Sequence, residues 1–182
     1  NQQPWRGEVG LQRCGTYLGS EILKLVTGML QPMAEQSVAL AQRDLQVALK
    51  PWPADLKPET FPAGGFRDYF TEAMVDWPRR LQEESPVPVR LNVVRLGDAA
   101  LCTNPAEFYV EHGLSIKQGS PAAMTMVAEL MDGYCGYVPT RAAFARGGYS
   151  TWPAMSSKLA HDAGDQFVSQ TQAMLAELFP QP

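Results

Sequence analysis

Two short segments concentrate side chains that could do chemistry. The first, Thr103-Asn104-Pro105-Ala106-Glu107-Phe108, sets a carboxylate where a predicted strand gives way to a predicted helix. The second, Gly133-Tyr134-Cys135-Gly136-Tyr137-Val138-Pro139-Thr140, sets phenols in a glycine-rich stretch after the next apolar run, and Tyr149 follows it. Both fall where successive strands end, which is where α/β sheets assemble their sites. Each residue type also has a plain structural use. An acid in the first turn of a helix complements the helix dipole, which would account for Glu107. Tyrosines commonly bury their rings and keep their hydroxyls wet, which would account for Tyr134, Tyr137 and Tyr149.

Other chemistry is sparse. The chain has only two histidines, His112 and His161, each on a predicted helix and without the HExxH spacing that would face two imidazoles toward one metal. A surface or capping role is expected for both. There is no GxSxG, no phosphate-cradling GxxxxGK[ST] and no GxGxxG after a strand. Cys14, Cys102 and Cys135 are too few and too scattered for a disulfide scaffold or a zinc knuckle, although one bridge stays open. The formal charge of −4, with acids and bases intermixed, gives no basic stripe for nucleic acid. The apolar stretch from Ile22 to Leu30 is broken by Lys24, Thr27 and Gly28, so no transmembrane segment is expected.

The elements that must position these residues follow from periodicity. Val9, Cys14, Leu18, Ile22, Leu25 and Met29 recur at helical spacing, predicting a helix over 8–30 that ends near Gln31-Pro32. Leu45, Val47 and Leu49 alternate with polar or small residues, predicting a half-buried strand within 37–50. A proline- and glycine-rich connection leads to a helix over 66–84, kinked or interrupted at Pro78. Strands over 89–96 and 99–103 flank Gly97-Asp98, a strong hairpin signal. Asn104 with Pro105 reads as the cap and first position of a helix running through Gln118. A buried strand, which pattern alone does not separate from a piece of buried helix, is expected over 124–130, irregular chain over 132–137, and a last helix capped by Ser156 or Ser157. The sum is an α/β fold, a mixed sheet with flanking helices, small enough to need completion by another segment.

At the two chemical segments the sequence resembles the neutral, non-lysosomal ceramidase family and its short bacterial members. LCTNPAEF is similar to that family's strand followed by PGEF, and DGYCGYVPTRAAFARGGY to its NxYxGYxxTxxxYxxxxY-like pattern. The stretch Gln12 to Glu21, the strand from Leu45 to Pro51 and the closing SKLAHDAGDQFV are similar as well, so the likeness covers most of residues 1–182. Departures are Ala106 in place of the glycine of PGE, Phe144 in place of a tyrosine, and Gly147-Gly148 ahead of Tyr149.

The resemblance implies that the chain is the carboxyl half of a catalytic domain, without an immunoglobulin-like domain. It implies zinc-dependent hydrolysis of the amide that joins a fatty acid to a sphingoid base. Glu107 and Tyr137 then match two zinc ligands, and Tyr149 a hydroxyl that stabilises the oxyanion. The family's two zinc histidines belong to the amino-terminal half, the partner this chain would need, and this chain alone would be inactive. The resemblance also favours a secreted or periplasmic location. Alternatives are a related hydrolase with another amide or ester substrate, and a catalytically silent domain that binds partners through Trp5, Trp52, Trp77 and Trp152.

Overall fold

The computed structural model describes residues 6–28, 30, 36–51, 53, 56–61, 63–74, 77–83 and 85–180. The chain divides into two compact units, Asn1–Ala34 and Glu35–Pro182. The first unit holds α1, Gly7–Gly28. Its long apolar residues, among them Leu11, Tyr17, Leu18 and Leu23, are exposed. Met29 and the expected helix end at Gln31-Pro32 lie outside the described residues.

The second unit is built on a four-stranded sheet in the order β1-β2-β3-β5. Its strands are β1 (Val38–Val47), β2 (Val87–Leu96), β3 (Ala99–Thr103) and β5 (Met124–Ala128). β1, β2 and β3 are antiparallel neighbours, whereas β3 and β5 run parallel, so the sheet is mixed. The tight turn between β2 and β3 works because Gly97, at φ 61°, takes the left-handed position that a two-residue hairpin requires. Before the hairpin come α2 (Gly65–Met74) and α3 (Trp77–Glu83). Pro78 thus sits in the first turn of a second helix, where its missing N–H costs nothing.

One face of the sheet is the core. Val47, Val89, Leu91, Val93, Ala100 and Cys102 are buried there with Ile116 of α4 (Val110–Gln118) and Phe167, Met174 and Leu175 of α6 (Ala163–Leu178). A smaller cluster gathers Phe61, Trp77 and Leu81, and Phe61 meets the rings of Trp77 and Trp152 edge-on at 6.3 and 5.8 Å. Trp77 is thus buried in this cluster and Trp152 partly buried against it; Trp5 and Trp52 lie outside the described residues. No helix among the described residues is long and apolar enough to cross a membrane.

Two expected helix starts are corrected. The helix predicted from Asn104 begins only at Val110, and residues 106–108 form a strand, β4 (Ala106–Phe108). The last helix begins at Ala163 after Asp162. Ser156 instead lies in a turn, and Ser157, which follows it, bridges Gly136.

Candidate functional site

The end of β3 determines where Glu107 goes. Asn104 is buried, and its side-chain oxygen accepts from the Ala106 N–H at 3.0 Å, closing a tight local turn. Its own N–H donates to Ala128 and its carbonyl accepts from Met131, while Cys135 N–H donates to the Pro105 carbonyl. A side chain suited to capping a helix is thus used to close a turn, the competing use of the same chemistry. The backbone stays extended through Tyr109, and Glu107 is not a first-turn acid.

The same bonds tie 104–106 to the loop before β6 (Gly136–Val138), and β4 pairs with β6 in parallel. The register sets Ala106 opposite Gly136, Glu107 opposite Tyr137 and Phe108 opposite Val138. Because strand side chains alternate, Ala106, Phe108 and Val138 join the main core, while Glu107 and Tyr137 project together from the other face, each half-buried.

Hydrogen bonds complete the cluster. Tyr134 Oη donates to Glu107 Oε1 at 2.8 Å. Tyr137 is bonded to Glu107 as well, and that bond, more than its burial, raises its phenol above the usual range. Partial desolvation and then the bond to Glu107 push Tyr134 up to about 12. Tyr149 meets the Tyr137 ring edge-on at 5.6 Å and shares a hydrogen bond with it. The structure thus gathers the three residues that the resemblance matches to a site, Glu107, Tyr137 and Tyr149, and sets Tyr134 beside them.

Tyr149 is far enough along the chain that its return needs an explanation. Thr140 caps α5 (Arg141–Arg146) by accepting from the Ala143 N–H at 3.1 Å. Gly147 and Gly148 then take φ 75° and 117°, a reversal closed to residues with a side chain. The short 3-10 turn Tyr149–Thr151 that follows is tied down by a bond between Ser150 and Tyr109. It is also held by Lys50, which nothing in the sequence marked. The Lys50 ammonium is buried, donates to the carbonyls of Thr151 and Trp152 and to Ser157 Oγ at 3.1 to 3.2 Å, and lies 5.3 Å from the centre of the Phe144 ring. Desolvation lowers its pKa to about 8.

The histidines do other work. His112 is not a surface residue; it is buried on α4, stacked on Phe108 at 4.9 Å, with Nε2 unpartnered against Gly164. His161 is exposed, precedes α6 and stacks on Phe144 at 4.0 Å. Cys14, Cys102 and Cys135 are unpaired thiols. Among the described residues, no group of three His, Cys, Asp or Glu side chains could hold a metal ion. Beside the cluster, a cleft of about 360 Å³ is lined by Asp44, Arg90, Pro105, Asp132 and Tyr134.

The fold is thus an α/β arrangement with a mixed sheet whose candidate site hangs on a small parallel ladder at the strand ends. No protein-family model matches the sequence, and no curated protein does. Solved structures do match. The chain is similar in fold to the neutral ceramidase from Pseudomonas aeruginosa, with a TM-score of 0.61 and 16% identity over 98% of this chain and 35% of that one. It is similar also to a ceramidase complexed with C2, with a TM-score of 0.61 and 15% identity over 94% of this chain and 34% of that one. The chain spans about a third of the length of the ceramidases it matches.

Proposed function

We propose that this chain forms part of a zinc-dependent amidohydrolase that cleaves the N-acyl bond of ceramide or a related lipid amide. The observation that carries the reading is the pairing of Glu107 with Tyr137 in one register of the β4–β6 ladder, with Tyr149 against the same phenol. A carboxylate and a phenol side by side are hard oxygen donors, and their chemistry fits two positions around a zinc ion. Stable sites use three or four protein ligands, so the remaining ones come from amino-terminal polypeptide that this sequence does not contain.

Bound zinc would supply a Lewis acid and an acidified water for attack on the amide. The chain's own residues have separate tasks. Glu107 would hold the metal through its carboxylate, while Tyr134 donates to Oε1 and fixes the carboxylate plane. Tyr137 would be the second ligand as its phenolate, its proton passing to solvent when the metal binds. Tyr149, exposed and tethered by the turn behind it, donates its hydroxyl to the oxygen that gains charge when the carbonyl is attacked.

The test is metal content by mass spectrometry on the complete gene product, after dialysis against a weak chelator. One zinc per protein is expected, with marked loss in Glu107→Ala and in Tyr137→Phe. Full zinc and full activity in both variants would refute the assignment.

A further inference from the structure

The loop 129–135 between β5 and β6 carries Tyr134, and its path is not one that its own side chains favour. Leu130 and Asp132 take φ 57° and 63°, left-handed backbone that residues with a side chain adopt rarely, aspartate more readily than leucine. Residues 129–134 are exposed, so burial of their side chains does not hold that path. Hydrogen bonds do. Leu130 N–H donates to the Ala106 carbonyl, Met131 N–H to that of Asn104 and Cys135 N–H to that of Pro105, which anchors both ends. Between them side chains tie the loop: Asp132 accepts from Asn92 at 2.7 Å, and Tyr134 donates to Glu107 at 2.8 Å.

Asn92 is 8% exposed and lies in a row of directly opposed residues, Gln42 of β1, Asn92 of β2, Thr103 of β3 and Ala128 of β5. In a strand otherwise rich in valine and leucine an apolar residue would fill this buried place, whereas an amide costs stability unless its hydrogen bonds are made. Here they are made. The Asn92 carbonyl accepts from Gln42 at 2.9 Å, and its amide donates to Thr103 Oγ1 at 3.1 Å and to Asp132 Oδ2 at 2.7 Å. Thr103 ends the strand that leads on to Glu107, and Asp132 precedes Tyr134 in the loop. One buried amide therefore fastens both segments whose side chains meet at the site.

We propose that Asn92 is a positioning residue for the Glu107 site: through Asp132 it holds the loop in its left-handed path and so sets the Tyr134 hydroxyl on Oε1 of Glu107. The inference rests on the function proposed above in one respect, that a carboxylate held in one plane is what a metal ligand requires. The geometry also says which replacement preserves the brace. The bond between positions 92 and 132 joins an amide to a carboxylate, and swapping the two groups keeps it. A carboxylate at position 92 accepts from Gln42, from the Thr103 hydroxyl once it rotates, and from the amide at position 132. Asparagine tolerates left-handed backbone as aspartate does.

The test compares wild type, Asn92→Asp, Asp132→Gly and the swap Asn92→Asp with Asp132→Asn, each as the complete gene product. Amide hydrogen exchange is read by mass spectrometry on peptides spanning 129–135 in protein stripped of metal, and zinc loss to a chelator is followed in loaded protein. Asn92→Asp sets two carboxylates face to face, and both rates should rise about tenfold or more. Asp132→Gly removes the same bond but is at ease at φ 63°, so it should melt like wild type and still raise both rates about tenfold. The swap should bring both rates back to within about threefold of wild type, a rescue that a general loss of stability does not give. Unchanged rates in Asp132→Gly would overturn the proposal and leave the zinc reading standing. So would a swap that melts like wild type yet keeps the fast rates, or faster amide exchange with zinc lost no faster. A wild type that binds no zinc but shows the exchange pattern and its rescue would refute the zinc reading and uphold Asn92 as the brace.

Discussion

Replacing Lys50 with methionine tests whether a buried cation holds the Tyr149 turn. Lys50 is 6% exposed, and the three acceptors of its ammonium are all neutral oxygens. Burial lowers its pKa from 10.5 to about 8. A shift of this size means that charged Lys50 costs the folded state about 3 kcal/mol relative to the unfolded chain. The sign follows from proton counting. Between the folded and unfolded pKa values the unfolded chain holds more protons, so stability rises with pH across that window. From about pH 7 to about pH 9.5 the rise attributable to Lys50 is about 2 kcal/mol. Cys102 and Cys135, pushed up to about 12 by burial, act in the opposite sense above the ordinary thiol range. They are present in both proteins and cancel when wild type and Lys50→Met are compared.

The stability of the variant at one pH is not decisive. Methionine removes the desolvation cost but leaves three acceptors without their donor, at about 1–3 kcal/mol for each that water cannot reach. The change in stability with pH is decisive. Denaturant unfolding of both proteins at the two pH values should give a rise about 2 kcal/mol smaller in Lys50→Met than in wild type. Equal rises would mean that Lys50 titrates like an ordinary lysine, and the description of it as a buried strut would be wrong.

Two further outcomes are expected. A Cβ at Gly136 would lie 2.5 Å from the backbone oxygen of Ser156, at φ +87°, so Gly136→Ala should lose about 3 kcal/mol or more by denaturant unfolding. Gly119→Ala, which meets only the movable end of Gln172, is its control and should stay within about 1 kcal/mol. If Tyr149 serves the oxyanion and not the metal, as proposed, Tyr149→Phe in the complete protein should lower kcat about 10²–10³-fold with zinc content unchanged. Zinc loss in that variant, measured by mass spectrometry, would move Tyr149 into the ligand set.

The sheet was legible where local pattern and tertiary need agree. The alternation in β1 and the Gly97-Asp98 turn each state a strand in a few residues, and both stand in the structure. The helix start at Asn104 was not legible, because Asn-Pro is a good opening for a helix and equally good for a turn closed by the asparagine side chain. What decides between them is the set of backbone bonds to Ala128, Met131 and Cys135, partners more than twenty residues further along the chain that no local window contains. Ser156 and Ser157 mislead for the same reason: their use is to flank β6, a short strand that the local pattern does not reveal.

The correction at Asn104 strengthens the site and does not weaken it. While Glu107 stood at a helix start, the helix dipole explained its charge; on a strand opposite Tyr137 it has no such partner and instead accepts from two phenols. Two strands of three residues cannot hold that geometry alone, since an isolated pair is marginal in water even at full length. The register is imposed from both sides. Asn104 fixes where β4 begins, and the approach of Ser156 to Gly136 fixes β6, with Tyr137 N–H donating to the Ser156 carbonyl at 2.7 Å. Lys50 then joins Ser157 to the carbonyls beneath Tyr149. The residues that set the distance between the carboxylate and the phenols are therefore an asparagine, a glycine and a lysine that touch none of the chemistry.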